Sequence, residues 1–203
     1  MKKLLLLMLL MILSVISCSS NPTKNQIQAK KNRINGHAAE CMMDVFFTHN
    51  QNWQKIEGEN GIHGIDGLYI KYKNDNISDV LVAESKWNTS RLGTTKKGTI
   101  KQMSKRWILD KLKEAKPHNP HVKNYDQIST LVKKGIYRAR LFKLKPYLNN
   151  KLKITLYRIK NKSDGKSIEK VDKSEIVIDM KNPENVFHER MLGVYNHCKK
   201  MIE

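Results

Sequence analysis

Asp66, Glu84 and Lys86 are the residues of this chain whose types and spacing most clearly suit chemistry. Glu84 and Lys86 stand two positions apart, so on an extended strand both project from the same face. The run before them, Val80 to Ala83, is apolar, and carboxylates and ammonium groups are rarely buried unless paired or functional. Asp66 lies in Gly64-Ile65-Asp66-Gly67, where glycines leave room for a bulky charged ligand near the backbone. Two carboxylates held close together repel unless a cation lies between them. A hard divalent ion, Mg²⁺ or Mn²⁺, takes carboxylate, carbonyl and water oxygens, acidifies a bound water and neutralises charge on a phosphoryl group. An ammonium beside it orients the attacking water or stabilises the charged transition state. These are the parts that phosphodiester hydrolysis needs. The plainer reading, a surface ion pair on an edge strand, contributes little energy and fits the apolar run poorly.

The elements around these residues must bring them together. Leu68 to Lys73 alternates apolar and lysine positions like a half-buried strand, Asn74-Asp75-Asn76 is a turn, and Val80 to Trp87 reads as a central strand covered on both faces. Paired as an antiparallel hairpin, the two strands set position 66 opposite positions 84 to 86. Upstream, Ala39, Met42, Met43, Phe46 and Phe47 recur at helical spacing from Gly36 onward, with Glu40 and Asp44 beside the stripe. Asn50 to Gly67 is irregular and glycine-rich, and its His63 lies three residues before Asp66. Thr89 to Thr99 is a polar loop carrying Arg91, Lys96 and Lys97. Ile100 to Ala115 reads as a helix with Met103, Trp107 and Leu112 inside, a placement that turns Gln102 outward, with contact to substrate as the other reading of that residue. A helix over Tyr125 to Lys134, a hairpin of Gly135 to Lys145 with Lys151 to Lys160, a strand from Glu175 to Met180 and a helix from Pro183 complete the pattern. There are no internal repeats. One mixed α/β domain over residues 36–203 is expected.

Asp66, then Glu84-x-Lys86 after an apolar strand, with Glu40 on a preceding helix, resembles the PD-(D/E)XK nuclease superfamily. The segments Gly64-Ile65-Asp66-Gly67-Leu68-Tyr69, Val82-Ala83-Glu84-Ser85-Lys86-Trp87, Gln102-Met103-Ser104 and Trp107-Ile108 are similar in particular to nuclease domains at the ends of bacterial polymorphic and contact-dependent inhibition toxins. The resemblance implies a restriction-endonuclease-like fold, with a mixed central sheet flanked by helices. It implies Mg²⁺ or Mn²⁺ held by Asp66, Glu84, Glu40 and the backbone carbonyl of Ser85, with Lys86 assisting catalysis. It also implies endonuclease action on nucleic acid, DNA ahead of RNA. Two features depart from the family: no proline precedes Asp66, and an export leader is unusual for a toxin's terminal domain.

The charge fits such a partner. Lysine and arginine number 38 against 19 aspartates and glutamates, a net charge of +19, which favours nucleic acid or an anionic membrane surface. Because lysine is spread along the whole chain, charge alone identifies no site. Lys96, Lys97, Lys101, Lys105 and Arg106 flank the acidic residues in sequence and are the first candidates for holding phosphates; the lysine-rich hairpin from Arg138 to Lys160 is a second surface. Tyr69, Trp87 and Trp107 suit base stacking or core packing equally in type, with the core the expectation for Trp107. Lys2 and Lys3 followed by the apolar run Leu4 to Ile16 have the form of a secretory signal over residues 1–17. Val15-Ile16-Ser17-Cys18 resembles the bacterial lipoprotein signal, implying lipidation of Cys18 and attachment to the cell-envelope membrane. Residues 18–35, polar and lysine-rich, read as a tether. Cys41 and Cys198 suit either a disulfide or two small buried thiols, and no Cys/His spacing suggests a zinc site. A non-catalytic basic envelope lipoprotein that binds an anionic polymer or a protein is the alternative to a nuclease.

Overall fold

The structure, a computed structural model, describes residues 22–56, 64–95, 98–120, 122 and 124–201. The proposed signal, Cys18, His63, Lys96 and Lys97 lie outside the described residues. The chain divides into two compact units, residues up to Lys31 and residues from Asn32. In the first, the described residues are exposed, and helix begins at Lys24. The expected tether is therefore helical from that point. A capping box accounts for it: Thr23 N donates to Gln26 Oε1 at 2.7 Å, and Gln26 N donates to Thr23 Oγ1 at 3.3 Å.

The second unit runs from Asn32. It is built on a six-stranded sheet in the order β1-β2-β3-β4-β5-β6. The elements are α1 (Lys24–Gln51), β1 (Gln54–Lys55), β2 (Gly67–Lys73), β3 (Asn76–Trp87), α2 (Lys105–Ala115), α3 (Tyr125–Lys134), β4 (Arg138–Tyr147), β5 (Lys151–Asn161), β6 (Ile168–Asp179) and α4 (Val186–Lys200). Neighbouring strands run antiparallel except β3 and β4, which are parallel. Parallel neighbours need a long crossover, and α2, a short 3₁₀ turn at Lys116–His118 and α3 provide it.

The β2–β3 connection is the expected turn, with Asn74 and Asp75 at φ 50° and 59°, the left-handed pair that matches the twist of a two-residue hairpin. The helix expected from Ile100 starts at Lys105 instead. Met103 has φ 70°, and the Ser104 side chain caps α2 by accepting from Trp107 N. Asn185 likewise caps α4 by accepting from His188 N, so that helix begins after Pro183. β1, in a segment expected to be irregular, adds a two-residue edge strand, and β6 begins at Ile168, ahead of the expected Glu175.

Both faces of the sheet are covered. Leu68, Ile70, Val80, Val82 and Leu141 pack with Trp107, Ile108, Ile128 and Val132 of α2 and α3. Tyr69, Leu81, Ala83, Phe142 and Leu144 pack with Met42, Met43 and Phe47 of α1 and with Met191 and Tyr195 of α4. β3 is buried from Val80 through Ser85, as a central strand should be. The two open readings of the cysteines resolve in favour of a disulfide, Cys41–Cys198, which ties α1 to α4 with Cα atoms 6.6 Å apart. No helix among the described residues is long and apolar enough to cross a membrane.

Candidate active site

The β2–β3 ladder ends with Gly67 opposite Ala83, which leaves Asp66 level with the end of β3 that carries Glu84, Ser85 and Lys86. There the backbone N–H of Ser85 has no β2 partner, and it donates to Asp66 Oδ2 at 2.9 Å; Ser85 Oγ donates to the same oxygen at 3.2 Å. Ser85 thus fixes the Asp66 carboxylate with two hydrogen bonds. The placement expected from hairpin arithmetic is the one observed.

Glu84 is 2% exposed. Its Oε1 accepts from Lys86 Nζ and from Gln102 Nε2, the latter at 2.5 Å, whereas its Oε2 is buried with no hydrogen-bond partner. Burial raises the Glu84 carboxyl to about 8, the nearby Asp66 charge adds to the rise, and Lys86 opposes it. Glu40, one layer away on α1, opens to solvent. Its carboxyl is raised to about 7, by desolvation first and then by the charges of Asp66 and Asp44, against Lys86 and Lys55.

A second polar group, centred on Asp44, acts on Glu40 through its charge. Tyr69, fully buried, donates its hydroxyl to Asp44 Oδ1 at 2.5 Å, and Lys55 pairs with Asp44 Oδ2. Burial, then the Asp44 charge, pushes the Tyr69 hydroxyl far above its ordinary range. Gly67 makes this possible. A Cβ there would stand 2.5 Å from the Tyr69 ring, so the residue beside Asp66 has no side chain because the ring lies across its Cα.

Glu40, Asp66, Ser85 and Lys86 line one cleft of about 370 Å³, together with Asn88 and Arg91. Two of its features suit a hard cation, the carboxylates of Glu40 and Asp66 and an opening to solvent; Glu84, whose buried Oε2 lacks a partner, is not among the residues that line it. The acids are not a closed ligand cage, however. Among the described residues, the trio of potential ligand atoms gathered within 4.8 Å is His37, Cys41 and Cys198, whose sulfurs are joined to each other. Trp87 also lines the cleft, and its ring stacks on Tyr195 with centroids 6.4 Å apart. Trp107 and Tyr69 belong to the core.

Of the basic residues expected beside the site, the described ones, Lys101, Lys105 and Arg106, do not line it. Lys101 Nζ donates to Leu92 O at 2.7 Å, bracing a loop. Lys105 Nζ donates to Lys133 O at 2.7 Å and lines a different cleft with Tyr137 and Arg158. Arg106 pairs with Asp110 on the exposed side of α2. The cause is the late start of α2: the N–H of Lys105 donates to the Asn161 side chain and that of Arg106 to Gly165 O at 2.9 Å, so this turn faces the β5–β6 connection.

Two other residues lie at the site. Arg91 lines the cleft, and Gln102, expected to be exposed on a helix, holds Glu84. Residues 101–104 form a turn rather than a helical wheel, and the positive φ of Met103 redirects Gln102 inward. The serine at 104 is the signal that could have marked the true helix start, since serine favours the N-cap. No family model, curated protein or solved structure matches the chain.

Proposed function

We propose that this protein is a metal-dependent endonuclease with a restriction-endonuclease-like fold, exported and anchored through lipidated Cys18, and that it hydrolyses phosphodiester bonds in DNA. The observation that carries this reading is the buried, donorless Oε2 of Glu84 near the Asp66 charge, with the ammonium of Lys86 on the same strand end and an open cleft lined by Asp66 and Lys86. Asp66, Glu84 and Glu40 would hold Mg²⁺ or Mn²⁺, which supplies an acidified water and a counter-charge to the phosphoryl oxygens. Ser85 orients Asp66 through its N–H and hydroxyl, in addition to the backbone carbonyl implied as a ligand. Gln102 fixes the rotamer of Glu84. Lys86, which pairs with Glu84, would orient the attacking water or meet charge on the phosphate. Arg91 at the cleft mouth suits a neighbouring phosphate. The Cys41–Cys198 disulfide accords with an oxidising compartment outside the cytoplasm.

The second reading, a non-catalytic basic module that binds an anionic polymer, draws on Lys86 and Gln102 occupying Glu84 Oε1. The two readings separate when the full chain is incubated with plasmid, linear DNA and tRNA in Mg²⁺, Mn²⁺ or EDTA. The nuclease cuts DNA only with a divalent ion. Asp66→Ala or Lys86→Ala lowers the rate by roughly 10²–10³-fold, the scale for losing one charge-stabilising group, with an unchanged circular dichroism spectrum. Equal products from the wild type and both variants, or cutting in EDTA, would contradict it.

A further inference from the structure

The sheet does not end at the cleft. Lys86 on β3 is in register with Lys143 on β4, and Lys143 with Thr155 on β5. One step along the same face, Lys145 is in register with Lys153, and one step back Leu141 is in register with Tyr157. The inner part of this face carries Ala139 and Leu141 beneath α2 and α3. Its outer part, from Lys143 onward, carries lysines, half-buried at Lys143, Lys145 and Lys153.

Adjacent strands lie about 4.8 Å apart, so this lysine surface extends the Lys86 end of the cleft by roughly 14 Å across three strand spacings. Tyrosines are interleaved with the cations. Lys153 Nζ lies 5.2 Å from the Tyr147 ring centroid, and Lys170 Nζ lies 5.3 Å from that of Tyr157. The carboxylate within these rows, Glu175, is engaged by Lys153 and Lys173, which leaves Lys143 and Lys145 as the cations of the outer rows; Lys170, in register with Ile159, borders them over the Tyr157 ring. Burial, then the charges of Lys170, Lys145 and Arg91, holds the Lys143 ammonium below its ordinary range. These cations therefore crowd one another and the cleft mouth. Such repulsion is relieved by a polyanion laid across them.

We infer that the outer face of β4–β6 around Lys143 and Lys145, bordered by Lys170 over the Tyr157 ring, is a nucleic-acid track that leads the phosphodiester backbone to Arg91 and Lys86. The direction of travel rests on the nuclease reading; the binding itself does not. Cations on a pleated face contact backbone phosphates, which confers affinity without sequence preference, and the exposed Tyr147 ring on that face suits a stacked base from a single strand.

The test is fluorescence anisotropy of a labelled oligonucleotide, single-stranded and duplex, with the full chain in EDTA so that no turnover occurs. Lys145→Ala/Lys170→Ala is compared with Lys113→Ala/Lys134→Ala, which removes the same charge from exposed positions on α2 and α3. The track pair weakens binding at least about 10-fold and lowers the slope of log K against log salt by roughly 1.4–1.8 for two lost phosphate contacts, while the control pair changes neither. Equal effects from the two pairs, or no effect from the first, overturn the track. So does binding to anionic-lipid vesicles with none to oligonucleotide. Intact, track-dependent binding without cutting in Mn²⁺ would refute the nuclease and leave the track standing. Metal-dependent cutting with unchanged binding in the track pair would do the reverse.

Discussion

Glu84 is the residue around which the proposed chemistry is organised, and its environment has a measurable consequence. The carboxyl ordinarily titrates near 4.5 and is raised to about 8 here. Between those values the folded chain keeps a proton that the unfolded chain gives up. Stability from this group is therefore complete below about pH 4.5 and is lost as pH rises through about 8. Glu40 shifts in the same direction but stands open to solvent, so its share is smaller. In EDTA, the thermal midpoint should fall between about pH 5 and pH 8, and Glu84→Gln should flatten that fall; differential scanning fluorimetry across pH reads both. A wild-type midpoint that rises over this interval would rule the account out. Asp66, Glu84 and Lys86 are legible in the sequence because strand parity and hairpin length are local arithmetic. Gln102 is not, because one left-handed residue at Met103 overrides a helical pattern that periodicity alone supports. Arg91 is visible only as part of a polar loop, since nothing local says where a loop lies.

Elements whose signals are local match their sequence reading: the β2–β3 hairpin from Asn74-Asp75, α3 from its apolar spacing, and the β4–β5 hairpin. Their ends are harder to place, because capping decides them. The Thr23 and Gln26 box lengthens α1, Ser104 shortens α2 and Asn185 delays α4. β1 has two residues and no pattern to read. The tightest element-level constraint is the approach of Tyr69 to Gly67. Gly67→Ala places a methyl group 2.5 Å from a ring anchored by its hydroxyl on Asp44, so the ring cannot swing aside without losing that bond. Overpacking of this kind should destabilise the fold by about 1–3 kcal/mol. Gly193 on α4 is the matched control: a methyl group there would meet nothing within 4 Å, and alanine should stabilise by about 0.5–1 kcal/mol. Urea denaturation of both variants checks the contrast, and equal effects would contradict it.

At the scale of the whole molecule, the site depends on three segments that meet only in the fold. α1 supplies Glu40, the β2–β3 hairpin supplies Asp66, Glu84 and Lys86, and the turn before α2 supplies Gln102. The parallel β3–β4 pairing sends the chain over one face through α2 and α3, and so returns β4 beside Lys86. That crossover, the partner of Cys41 and the lysine face beyond β4 all depend on long-range contacts. No window of sequence contains them, although the lysine-rich composition and the Arg138 to Lys160 hairpin are visible in it. The disulfide spans a sequence separation of 157 residues and holds α1, with Glu40, against the C-terminal helix. The central claim is that the carboxylates of these separate segments grip one divalent cation, and calorimetric titration of the full chain with Mn²⁺ near the raised Glu84 value, about 8, tests it most directly. The wild type should bind Mn²⁺, and Asp66→Asn and Glu84→Gln should each weaken binding by more than about 100-fold, beyond the scale for losing an outer-shell partner. Undiminished Mn²⁺ binding in both variants, or none in the wild type, would contradict the account.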